Sequence, residues 1–164
     1  MSGLDDLMKK LVQRLAQKQQ TLATAESCTG GLLAELITDV AGASKIFIGG
    51  VVTYSNAMKM KWLGVSSNTL AIFGAVSEQT VHEMIEGIQQ ATGCDYAIAV
   101  SGIAGPAGGT PEKPVGTVVI GWKLADEIVT EKYLLKGNRR EIREQSAMIA
   151  FRKIMTGLSD KSSG

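Results

Sequence analysis

The chain has 164 residues, 17 Lys and Arg against 16 Asp and Glu, and a net charge of +1. That length suits one domain, and the charge balance excludes the strong field by which nucleic-acid and anionic-membrane binders hold their partners. Hydrophobic residues make up 45% and charged residues 20%, which excludes disorder as the main state, and no apolar run nears the roughly 18 residues of a membrane span.

In chain order, Leu4, Leu7, Met8, Leu11, Val12 and Leu15 recur at helical spacing, predicting an amphipathic helix capped by Ser2 or Asp5. Residues 21–26 predict a short strand. A tight turn, Ser27-Cys28-Thr29-Gly30-Gly31, follows, then a helix over 32–38. Residues 46–54 are rich in β-branched and aromatic side chains and predict a buried strand with a glycine pair inside it. Helices are expected over 56–63, ended by Gly64, and over 66–73. Ser77 then caps a helix through Ala91, closed by Gly93. Residues 96–101 predict another buried strand, followed by a Gly/Pro segment over 102–114. Residues 115–122 and 128–135 predict a hairpin turning at Ala125-Asp126. Asn138 and Glu141 form a capping-box start to a last helix reaching about Leu158. The tail from Ser159 to Gly164 is polar and predicted to fray.

Five strands interleaved with helices imply an α/β fold: a three-layer α/β/α sandwich around a mixed, mainly parallel sheet of about five strands. No linker or repeat divides the chain, so residues 1–164 are expected to form one domain, with 1–20 as an N-terminal helical segment and 159–164 as a flexible tail. Two cysteines, Cys28 and Cys94, and one histidine, His82, are too few for a disulfide framework or a His-rich metal site. Reduced thiols and Asp5-Asp6 in place of a basic leader argue for the cytoplasm.

The 19 glycines are about 12% of the chain, against a usual 7%, and they mark the candidate chemistry. At Glu26-Ser27-Cys28-Thr29-Gly30-Gly31 a helix start offers unpaired N–H groups beside a serine. This suits attack on a carbonyl with oxyanion stabilisation, or else a plain helix cap by Ser27 or Thr29. Tyr54 and Lys59 form a second block. A lysine against an apolar wall loses its proton and becomes a base, whereas on a solvated helix face it does nothing of the kind. The third block runs from Ser101 and Gly102 through Gly105, Gly108 and Gly109, at a strand's end where α/β folds bind ligands. Its backbone suits a phosphate, although it carries neither the dinucleotide nor the Walker pattern. Arg139, Arg140 and Arg143 oppose the dipole of their own helix start, which hints at an anion there or at surface pairing with Glu141 and Glu144. Cys28 is a rival nucleophile or a small packed residue. His82, among Glu78, Glu83 and Glu86, belongs to a solvated face.

These blocks together resemble the CinA C-terminal domain family, whose stand-alone members include nicotinamide-nucleotide amidohydrolases. The resemblance rests on Ala25 to Gly31, on Val52 to Asn56 with Lys59, on Gly102 to Gly116, and on Gly137-Asn138-Arg139 with Arg143, and it covers residues 21–158. Two positions depart from the family pattern: Ser101 stands where threonine is common, and Ala107 where an acidic residue is often found. The resemblance implies hydrolysis of the carboxamide of nicotinamide mononucleotide to nicotinic acid mononucleotide and ammonia, in pyridine nucleotide recycling, without metal or cofactor. It implies Ser27 as nucleophile with Lys59 and Tyr54 as its partners, and a homodimer. The expected scheme has Lys59 deprotonate Ser27, with Tyr54 able to stand between them, and N–H groups around Thr29 to Gly31 meet the oxyanion. Glu26, Thr29, Gly30, Gly31, Ser101, Gly102, Gly105, Gly108, Gly109, Arg139 and Arg143 are expected around the substrate. The competing readings are a non-catalytic nucleotide-binding regulatory module linked to competence or DNA damage, and a thiol hydrolase using Cys28.

Overall fold

The computed structural model describes residues 2–161. It contains α1 (Ser2–Lys18), β1 (Leu22–Glu26), α2 (Leu32–Thr38), β2 (Phe47–Val52), α3 (Asn56–Leu63), α4 (Ser67–Phe73), α5 (Glu78–Thr92), β3 (Tyr96–Gly102), β4 (Thr117–Leu124), β5 (Glu127–Leu134) and α6 (Arg139–Lys161). A 3-10 turn, Ala43–Lys45, precedes β2. The strands form one sheet in the order β2-β1-β3-β4-β5. β1 pairs parallel with both β2 and β3, while β4 lies antiparallel between β3 and β5. Four strands therefore run one way and β4 the other.

The two faces of the sheet follow from strand alternation. Leu22, Ile98, Val100, Ile120 and Trp122 face a core shared with α1, α2 and α6. Ala23, Ala25, Ala97, Ala99 and Val119 face a second core closed by Leu63 of α3 and by Val81, Met84, Ile85 and Ile88 of α5. This is the expected three-layer sandwich. Small residues on the second face let α5 lie close to the sheet.

At α5 and α6 the caps are those the sequence indicates. The Ser77 hydroxyl accepts from the Thr80 amide, and Gly93 ends α5 in the left-handed conformation. At α6, Asn138 Oδ1 accepts from Glu141 N at 2.9 Å and Glu141 Oε1 accepts from Asn138 N at 3.0 Å, a reciprocal capping box. The hairpin turns at Ala125, which adopts φ 58°. Three expectations need correction. The segment over 46–54 is an edge strand, six residues long, and not a buried one: its side chains alternate, leaving Ile48 and Val52 exposed. Neither Ser27 nor Thr29 caps α2. The last helix, expected to end near Leu158, continues to Lys161, because nothing in Ser159-Asp160-Lys161 breaks a helix; the rest of the predicted tail, 162–164, lies outside the described residues.

Gly87 sets the position of α3. A Cβ there would stand 2.1 Å from the Leu63 carbonyl oxygen, backbone that cannot swing aside. Gly87→Ala should therefore push α3 off α5 and cost about 1–3 kcal/mol by overpacking. It should also displace Lys59, which α3 carries. Urea denaturation checks this, and a variant of unchanged stability would show that α3 yields freely.

Candidate active site

The carboxyl ends of the parallel strands converge on one cleft. Ser27 directly follows β1, Thr53 follows β2, and Ser101 and Gly102 end β3. This is where open α/β sheets place ligands, because the loops diverge there and leave a crevice. The cleft has a volume of about 270 Å³. Of the residues expected around the substrate, Ser27, Tyr54, Lys59, Ser101, Gly102, Gly105, Gly108 and Arg139 line it, together with Cys28. No Asp or Glu lines it, so its only formal charges are cationic.

At its floor, Lys59 Nζ lies 3.0 Å from Ser27 Oγ and 2.8 Å from the Thr53 carbonyl oxygen. Lys59 is 1% exposed and Ser27 8%. Burial holds the Lys59 ammonium below the ordinary lysine pKa of 10.5, because desolvation disfavours the charged form and no carboxylate faces it. With one N–H donated to the Thr53 carbonyl, the neutral amine can direct its lone pair at the Ser27 hydroxyl. The pair has the geometry of nucleophile and general base. Lys59 is buried while Lys61, two residues on and across the helix, is exposed.

Tyr54 does not stand between Lys59 and Ser27. It is 61% exposed at the cleft mouth, and its hydroxyl accepts from Arg139 at 2.9 Å. Arg139 also donates to the Gly105 carbonyl at 2.7 Å. That guanidinium thus joins the start of α6, the tyrosine and the glycine-rich loop, with part of its charge facing the cleft. In the loop itself the amides of Ala104, Gly105, Ala107 and Gly108 donate to no acceptor among the described residues. A row of free amides beside an arginine suits an anionic oxygen group.

Glu26 has another place than expected. It is 1% exposed and points away from the cleft. Its Oε1 accepts from the Gly31 and Leu33 amides at 3.1 and 3.0 Å, and its Oε2 from the Ala34 amide at 3.1 Å. A carboxylate from the preceding strand thereby satisfies the orphan N–H groups of α2. This explains why the turn needs no Ser or Thr cap, and it removes Gly31 from the candidate oxyanion donors. The Gly30 amide is also occupied, by the Ser27 carbonyl at 3.0 Å. The amides of Cys28 and Thr29 donate to no oxygen among the described residues. Gly30 and Gly31 turn the chain at φ 57° and 104°, which side chains resist. Thr29, Gly30, Gly31, Gly109 and Arg143 do not line the cleft. Arg143 instead donates to the Cys28 and Thr29 carbonyls.

The Cys28 thiol is pushed up to about 11, chiefly by burial, with the nearby Arg143 charge offsetting part of the effect. A thiol so protonated is a poor nucleophile at neutral pH. Residues absent from the expected set also line the cleft: Asn56, Ala75, Val76, Ile103, Ala104 and Ala107. Asn56 carried a signal, as a polar residue at a strand-to-helix junction three positions before Lys59. Ala75 and Val76 carried none, since they reach the cleft only through the packing of the segment between α4 and α5. His82 lies on the exposed face of α5 beside Glu86, as expected. Among the described residues no group of three or more His, Cys, Asp or Glu is placed to hold a metal ion, and no helix is long and apolar enough to cross a membrane.

The family model of the CinA C-terminal domain matches residues 4–158. A CinA-like protein of Thermotoga maritima is 52% identical over 151 residues, covering 92% of this chain and 37% of its own length. A putative competence-damage inducible protein of Caldanaerobacter subterraneus subsp. tengcongensis is 52% identical over 148 residues, covering 90% of this chain and 36% of its own. The chain thus spans little more than a third of these curated relatives. Among solved structures, competence damage-inducible protein A of Klebsiella pneumoniae superposes with a TM-score of 0.92 at 36% identity, over 95% of this chain and 97% of that one. The competence/damage inducible protein of Agrobacterium tumefaciens gives 0.90 at 37% identity, over 94% of each. With sequence, fold and near full-length coverage in agreement, the chain belongs to the CinA C-terminal domain family.

Proposed function

We propose that this protein is an amidohydrolase that cleaves the carboxamide of nicotinamide mononucleotide, with Ser27 as nucleophile and Lys59 as general base. The observation that carries the reading is the buried 3.0 Å contact between Lys59 Nζ and Ser27 Oγ at the floor of a cleft free of acidic residues. In the reaction the Ser27 hydroxyl proton passes to neutral Lys59 as Oγ bonds to the amide carbon. The resulting oxyanion faces the amide of Cys28, which lines the cleft and donates to no oxygen among the described residues. The Lys59 ammonium then protonates the leaving nitrogen, the C–N bond breaks, and ammonia departs from an acyl-Ser27 ester. A water, deprotonated by Lys59, attacks that ester. The carboxylic acid leaves and the proton returns to Ser27 Oγ.

The substrate's phosphate fits the other end of the cleft, where Arg139 and the loop amides from Ala104 to Gly108 stand. This divides the two glycine segments: the first serves the amide and the second the phosphate. Tyr54 acts at the cleft mouth, held by Arg139, as a contact to substrate and not as a relay between Lys59 and Ser27. The protein needs no metal or cofactor for this chemistry, and we place it in the cytoplasm as a homodimer.

A pair of single variants tests the nucleophile. Cys28→Ala should retain turnover, because its thiol is protonated and its loss removes no reacting atom. Ser27→Ala should lose the acyl-enzyme that rapid acid quench and intact-mass measurement detect in the parent protein. An acyl adduct on Cys28, or full activity in Ser27→Ala, would transfer the reaction to the thiol.

A further inference from the structure

Arg143 reaches from α6 to the nucleophile turn, 115 residues earlier in the chain. Its Nε–H donates to the Cys28 carbonyl at 3.1 Å and an Nη–H donates to the Thr29 carbonyl at 2.9 Å. One edge of a planar guanidinium thus fixes two consecutive carbonyls. Arg143 does not line the cleft, so these contacts are not those of a group waiting for substrate.

The Cys28–Thr29 peptide is trans, the one cis bond among the described residues being Gly105–Pro106. Cys28 lines the cleft and Thr29 does not. The Cys28 amide donates to no oxygen among the described residues, whereas those of Gly30 and Gly31 are tied to Ser27 and Glu26. Two consecutive carbonyls held by one planar group leave the backbone between Ser27 and α2 little freedom to turn, so the arginine fixes both the nucleophile and the amide that follows it. The turn leaves room for this arrangement: Gly30 sits at φ 57°, and even a Cβ there would lie 3.6 Å from the guanidinium.

We infer that Arg143 is a positioning residue, which holds the Cys28 and Thr29 carbonyls and so fixes the turn that carries Ser27 and the Cys28 amide for the oxyanion formed by attack of Ser27. The inference rests on Ser27 being the nucleophile. It assigns the arginine to the rate of the chemical step and not to the binding of phosphate.

The experiment compares the full chain with Arg143→Ala and Arg143→Lys. Ammonia release from nicotinamide mononucleotide is measured beside sulfonylation of Ser27 by phenylmethylsulfonyl fluoride, in which the serine oxygen displaces fluoride. Both variants should lower kcat about 100-fold, the scale of a lost oxyanion donor, with KM within about twofold of the parent. The sulfonylation rate should fall in parallel. Arg143→Lys keeps the charge and guards against a folding artefact, yet one ammonium cannot hold two carbonyls in a fork. Added methylguanidinium should restore rate to Arg143→Ala and leave Arg143→Lys unchanged. A raised KM with kcat intact would overturn the inference and make Arg143 a phosphate ligand. Unchanged rates in both assays would overturn it outright. If the parent is sulfonylated at Ser27 but releases no ammonia, the amidase reading fails and the sulfonylation ratio alone decides for or against Arg143. An inert Ser27 in the parent would overturn both.

Discussion

Replacing Lys59 with methionine should abolish turnover and, at the same time, stabilise the protein relative to the parent as pH is lowered. The first effect follows from removal of the general base. Such a group contributes about 10²–10⁴-fold on its own, and here the same amine also protonates the leaving nitrogen and activates water. The second follows from burial. The folded-state pKa of Lys59 lies below the ordinary 10.5 because desolvation penalises the ammonium. Between that lowered value and 10.5 the unfolded chain binds more protons than the folded one, so stability rises with pH across this window. Below the lowered value the penalty is present in full. Methionine has similar length and no charge, and so lacks the penalty, although it leaves the Thr53 carbonyl without its donor. The melting temperature of the variant minus that of the parent should therefore become more positive as pH falls and shrink toward pH 10.5. A difference independent of pH would mean that Lys59 titrates normally and is no base. In the parent, activity should rise with pH as Lys59 loses its proton.

Glu26→Gln should be the most damaging isosteric change outside the cleft. Glutamine Oε1 can still accept from the Gly31 and Leu33 amides, but its NH₂ must then face the Ala34 N–H, donor against donor. Losing a charge-assisted bond in a site 1% exposed costs about 1.5–3 kcal/mol. Glu26→Ala, which orphans all three amides, should cost about 3–5 kcal/mol. Glu26 is the residue before Ser27, and its carbonyl accepts from Thr53 N at 2.8 Å. The same change therefore disturbs the turn that carries the nucleophile and the strand end that holds Lys59. Thermal melts and kcat should fall together. A large loss of kcat with stability intact would instead show that Glu26 meets substrate directly.

The fold could be read from the sequence wherever periodicity carries it. β3 and β4 lie inside the sheet and show mainly apolar runs, and α5 shows its stripe with a serine at one end and a glycine at the other. The strand over 47–52 reads as buried in the sequence because apolar composition marks both a central strand and an uncharged edge. Only pairing decides which, and pairing depends on distant segments. The candidate site divides in the same way. Ser27, Tyr54, Lys59 and the glycine-rich loop stand in motifs whose local geometry a sequence can suggest. Glu26 looked like part of that motif, and its carboxylate turned out to lie on the sheet's other face, because β1 alternates and Ser27 takes the cleft side. The roles of Thr53 and of the Cys28 and Thr29 carbonyls are backbone roles that no side chain announces. Arg143 conflicts with a simple reading of its helix dipole. The conflict was real, but the negative partners are two carbonyls of the turn and not a bound anion.

The central claim is that Ser27 and Lys59 hydrolyse a carboxamide. The most direct test is ammonia release from nicotinamide mononucleotide by the purified protein beside Ser27→Ala, both with chelator present. The account predicts release by the parent protein alone, with nicotinic acid mononucleotide formed in equal amount. Release by both proteins would contradict the assignment of Ser27, and binding of the nucleotide without release by either would contradict the amidase itself and leave a nucleotide-binding module in its place.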